Sequence, residues 1–161
     1  MHALASVERS ETATEMLSGE AAGALHLASA AVFMQRGNAY ECAAQKGWDG
    51  CADRLEPDDP LVLFARSQHH AVRLGEVAPS KSALPKGNGA PELAVPIMQQ
   101  HHMIGVAFYG KHTSGEHLDA DEETLLSELA QSAAAAMERL QSIERVRELE
   151  VALGLQPHVA V

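Results

Sequence analysis

Apolar and polar positions alternate most cleanly between Glu92 and Leu126 of the chain. Leu93, Val95 and Ile97 alternate with Ala94, Pro96 and Met98, and after a short polar break Ile104, Val106 and Phe108 alternate with Gly105, Ala107 and Tyr109. A period of two predicts two strands joined by a turn at Gln99–His102. Both faces of the second strand are apolar, so layers are expected on both sides of the sheet. Pro96 cannot donate to a ladder and is expected at an edge or a bulge.

Earlier in the chain, "AAVFMQR" and "AYECAAQKG" flank Gly37-Asn38. Glycine accepts positive φ in a two-residue turn, so a second hairpin is predicted there. Before it, Val7, Met16, Leu17, Ala21, Ala24, Leu25 and Ala28 recur at three- and four-residue steps, the period of a helix that Gly19 and Gly23 weaken. A break near Ser18-Gly19 is expected. Trp48 opens a loop that runs to about Pro57. Asp59-Pro60 is a helix start, with a capping carboxylate followed by a residue whose missing N–H costs nothing in the first turn. "HAVRL" is a short strand. Residues 75–91 lack periodicity and are rich in Pro and Gly, the signature of a long lid or binding loop.

The last element is the longest. Asp119 and Glu122 form a capping-box pattern, and a helix is predicted from Ala120 past Leu149. Leu126, Leu129, Ala133, Met137 and Leu140 mark its packing stripe. Leu140, Ile143, Val146 and Leu149 continue it among charged residues, beyond the reach of an ordinary strand. Such an overhang asks for a partner helix. One domain over residues 1–150 and a tail over 151–161 is the expected organisation.

Composition narrows the function. The 161 residues carry a formal net charge of -10, with no basic cluster. That excludes a nucleic-acid surface or an anionic membrane face as the expected partner. No apolar run approaches the roughly 18 residues of a membrane span, and the opening residues lack the apolar core of a signal peptide. Two cysteines, Cys42 and Cys51, make neither a CxxC pair nor a disulfide framework, which suits a cytoplasmic setting. No Ser-His-Asp order, phosphate loop or HExxH pattern is present.

The order helix, hairpin, short helix, strand, long loop, hairpin, long helix resembles a GAF domain. The resemblance covers roughly residues 15 to 145. It is carried by "ALHLASAAVFMQRGNAYECAAQKGW", "ELAVPI", "IGVAFYG" and "LDADEETLLSELAQSAAAAMERLQ". It implies an α+β fold with a central antiparallel sheet of five or six strands. The N- and C-terminal helices would cover one face, and a short helix with loops would roof the other. It also implies a sensory, small-molecule-binding module of a bacterial signalling protein, a homodimer through its terminal helices that passes a signal to an output domain or partner protein. The alternatives are a dimerisation module without ligand, or a thiol enzyme on the same scaffold such as a methionine sulfoxide reductase.

The resemblance places a ligand under the roof, where Tyr40, Trp48, Phe64, His69, His70 and Leu84 are the candidate contacts. It places the dimer seam at Leu140, Ile143, Val146 and Leu149. The roof segment offers His69-His70 and no cysteine, which argues against a covalent bilin. It leaves heme open through either histidine, and the ligand unassigned. Cys42 shares a strand face with Tyr40 and Ala44, and is expected to be a buried, inert thiol. His101-His102 is expected in the turn. His112 and His117 are expected in a solvated loop, and Arg66 and Arg73 at the surface.

Overall fold

The computed structural model describes residues 11–48, 52–74 and 90–154. A helix, α1, spans residues 11–25; its middle, Met16–Glu20, is wound as a π-helix, and Ala21–Leu25 returns to α-geometry. Six strands follow the order of the chain: β1 (Ala30–Arg36), β2 (Ala39–Lys46), β3 (Arg54–Leu55), β4 (Val72–Arg73), β5 (Leu93–Gln99) and β6 (His102–Tyr109). Helix α2 (Pro60–Gln68) lies between β3 and β4, and helix α3 (Ala120–Ala152) closes the fold. The strands form one sheet in the order β3-β2-β1-β6-β5-β4, and every neighbouring pair is antiparallel.

Both predicted hairpins form, with register shifts the alternation did not show. Ile97 pairs with Gly105 but Met98 pairs with Met103, so Ile104 is an extra residue on β6. A bulge reverses the facing of everything beyond it. Ile104 therefore packs with Ala107 and Tyr109, not with Val106 and Phe108 as strict alternation predicts. Similarly, Val32 pairs with Ala44 and Phe33 with Cys42, which leaves Ala43 as the extra residue on β2. The β5–β6 turn is also narrower than expected. His102 is the first residue of β6, bonded through Nε2 to Gln35 Oε1 at 2.8 Å, and only His101 stays in the turn. The loop after Trp48 contains β3, whose two residues are too few for any period to reveal. Pro96 sits beyond the end of β4, which pairs only with Leu93 and Ala94, so its missing donor faces no partner strand.

The sheet separates two cores. On one face, α1 and α3 bury Leu17, Ala22, Leu126 and Met137 against Val32, Val95 and Ile97. On the other, α2 buries Leu61, Val62 and Ala65 over Phe33, Tyr40 and Phe108, with Phe33 and Phe108 edge-to-face at 6.0 Å. Tyr109 anchors the first core. Its hydroxyl donates to the Leu17 carbonyl at 2.5 Å, inside the π-wound stretch, and burial pushes the phenol pKa far above its ordinary value.

Candidate functional site

Sequence reasoning placed six residues under the roof. Tyr40 is packed into the core; its hydroxyl donates to the Met103 carbonyl at 3.1 Å and receives Arg66 Nη2 at 3.4 Å, with the guanidinium 5.9 Å over its ring. Phe64 packs half-buried against the same core. His69 ends α2 with φ 62°, a left-handed cap, and is exposed. His70 is exposed, with Nδ1 2.9 Å from the carbonyl of Ala71. Leu84 lies outside the described residues, as do Cys51 and most of the long loop. Trp48 is buried and touches both the roof-side core and a separate cavity.

That cavity, about 330 Å³, opens at the end of the sheet where β1 begins and β2 and β6 finish. Ser29, Gly47, Trp48, Gly110, Lys111 and His112 contribute to its wall. Two glycines are required there by contact. A Cβ on Gly47 would meet the Ala28 carbonyl oxygen at 2.0 Å, at a φ of +82° that also disfavours any side chain. A Cβ on Gly110 would meet Ser29 Oγ at 2.1 Å, so the serine hydroxyl occupies the space a side chain would take. Ser29 is 5% exposed and makes no side-chain hydrogen bond among the described residues. No fully buried side-chain oxygen or nitrogen among those residues lacks a partner, so this hydroxyl is open to the cavity.

His112 is not the solvated loop residue its surroundings in the sequence suggest. Its Nε2 lies 2.8 Å from Glu122 Oε1, and both side chains are largely buried. The same Glu122 oxygen accepts the Asp119 N–H at 3.0 Å, while Asp119 Oδ1 accepts the Glu122 N–H at 2.8 Å, completing the capping box of α3. The Glu122 carboxylate raises the imidazole pKa above 6.5, and the Leu25 carbonyl at the end of α1 also favours the charged ring. The His112 ring thus meets the start of α3, and the next N–H, that of Thr113, donates to the His26 carbonyl at the end of α1 at 2.8 Å. His117 remains in the expected exposed position, with Nδ1 against Glu92 Oε1.

Arg73 holds the same helix start from the sheet edge. Its Nη2 donates to the Leu118 carbonyl at 2.7 Å and its Nε pairs with Glu123 at 3.1 Å. Cys42 is half-buried rather than buried. Burial first, and the charge of Asp53 second, push its thiol pKa up, away from the reactive thiolate. Among the described residues no group of three or more His, Cys, Asp or Glu could hold a metal ion, and no helix is long and apolar enough to cross a membrane.

By sequence, no protein-family model and no curated protein matches the chain. By structure, it is similar to the GAF domain/HD domain protein from Geobacter sulfurreducens (TM-score 0.66, 19% identity, covering 82% of this chain and 94% of that one). It is also similar to the blue-light absorbing form of the Thermosynechococcus elongatus PixJ GAF domain (TM-score 0.67, 16% identity, 90% and 94%). A third similar structure is the type II free methionine-R-sulfoxide reductase from Thermoplasma acidophilum (TM-score 0.60, 14% identity, 82% and 96%). With the sheet order, the two-sided cladding and these likenesses together, the chain has the fold of a GAF domain.

Proposed function

We propose that this domain is a sensory or regulatory module of a signalling protein, paired with a second copy through its terminal helices. The observation that carries the reading is the tail of α3. Met137 is its last buried residue, and about 22 Å of helix continues beyond it. Along that stretch Ile143, Val146 and Leu149 are 49%, 55% and 60% exposed. Solvated apolar residues repeated on one helix favour burial against a like helix. A signal then passes as a change in how the paired helices pack, which requires a ligand that binds one packing better than the other.

The dimerisation module without ligand is the second reading, and the packing of Tyr40 into the roof-side core favours it. A thiol reductase would draw on Cys42 and Cys51, and the raised pKa of Cys42 weighs against that chemistry. Native mass spectrometry of freshly purified protein tests the proposal. A dimer carrying an extra small-molecule mass is expected; a monomer at micromolar concentration would overturn the paired-helix reading. A dimer without added mass would move the conclusion to the spacer.

A further inference from the structure

We infer that the cavity at the strand ends is a binding site for a small organic carboxylate with a short apolar body. Three observations converge on that chemistry. The first is the cation: Lys111 lines the cavity and has no ion-pair partner among the described residues. What sets this ammonium apart is its place in a cavity wall, where an anion would complement it. The second is the hydroxyl of Ser29, a residue only 5% exposed, which has no hydrogen-bond partner among the described residues and is admitted by the absence of a side chain on Gly110. A buried hydroxyl left free to donate suits a carboxylate oxygen. The third is Trp48, which supplies an apolar wall in a space at the small end of ligand cavities.

The site deepens the sensory reading and rests on it for the meaning of binding. His112 stands in the same wall, bonded to Glu122 of α3, and the N–H of Thr113 beside it donates to the His26 carbonyl at the end of α1 at 2.8 Å. An occupant pressing on that wall is felt at both terminal helices at once.

Trp48 is the single tryptophan of the chain, so its fluorescence reports on the surroundings of one residue in this cavity wall. The experiment titrates the full chain with sodium propionate, with propionamide as a neutral match and sodium chloride as the salt control. A saturable fluorescence change with propionate only is expected. The dissociation constant should rise by about tenfold or more in Lys111→Met, the loss of one charge-assisted contact. Ser29→Ala should weaken binding by a smaller factor and serves as the deciding variant if circular dichroism shows Lys111→Met unfolded. Equal responses to propionate and propionamide, no saturable response, or unchanged affinity in the folded variants would overturn the site. Failure here is separable from failure of the sensory reading. A dimer that ignores propionate loses this site and keeps the paired-helix reading, whereas a monomer that binds it keeps the site and loses the transmission route.

Discussion

At the scale of single residues, His112 does the most that composition could not announce. It sits in a stretch, "KHTSGEH", whose polarity predicts a solvated loop. Folding instead sets its ring, largely buried, against the capping glutamate of α3. The stability it contributes has a definite pH sign. Its folded pKa is raised above the unfolded value, so its contribution is complete below 6.5 and is lost as pH rises through the folded value. Thermal melts from about pH 5 to about pH 8, the range in which histidine changes charge, should show wild type gaining over His112→Gln at the acid end. The two curves should converge at the alkaline end. A gap that stays constant with pH would show that the ring acts by packing and not by charge. Tyr109 is a second such residue. Its strand placement was legible, but its bond to the Leu17 carbonyl joins positions 92 apart in sequence.

At the scale of elements, the helix ends are where local rules and strain meet. Helix α1 stops in a Schellman motif. The Leu27 N–H donates to the Ala22 carbonyl at 2.8 Å and the His26 N–H to that of Gly23 at 3.4 Å. The left-handed position, φ 57°, is held by His26 where glycine is usual. The exposed His26 side chain makes no hydrogen bond among the described residues, so nothing offsets the strain. His26→Gly should therefore raise stability by about 1 kcal/mol, read as a shift in urea midpoint at constant slope. A lower midpoint would mean that glycine's greater unfolded freedom outweighs the relieved strain. The caps themselves were legible: Asp59 accepts the Leu61 N–H at 3.0 Å and Asp119 forms the predicted box. The bulges at Ala43 and Ile104 were not. An inserted residue leaves the composition of a strand unchanged and shows only in its pairing.

For the whole molecule, the question is what covers the far end of α3. Leu140, Ile143, Val146 and Leu149 recur at steps of three, and each such step turns back by roughly 60° around a helix with 3.6 residues per turn. From Leu140 to Leu149 the drift is about half a turn, so the four lie on a winding path rather than a straight stripe. Leu140 is half-buried, while Ile143, Val146 and Glu150 follow the three-four spacing of a coiled-coil seam, with Glu150 a charge in it and Leu153 the next position, just past the helix end. The triple substitution Ile143→Glu, Val146→Glu, Leu149→Glu should convert a dimer to a monomer in sedimentation equilibrium and leave the domain's melting transition in place, since none of the three is in its cores. Loss of the folded domain, or an unchanged dimer, would sink the paired-helix proposal.

Hydropathy period, turn residues and cap residues were enough to determine the order of the elements other than β3, both hairpins, the two-faced sheet and the overhanging helix. Each of these is written within a few positions of the chain and follows from local sterics and from which faces must leave water. Other features depended on distant contacts: the bulges that reset strand facing, the two-residue edge strand β3, the π-wound middle of α1, the cavity lined by Gly47 and Gly110, and the pairing of His112 with Glu122. A hydroxyl, an ammonium and an indole became one cavity only because the ends of β1, β2 and β6 lie side by side. Adjacency of that kind is a property of strand order, and no local pattern encodes it.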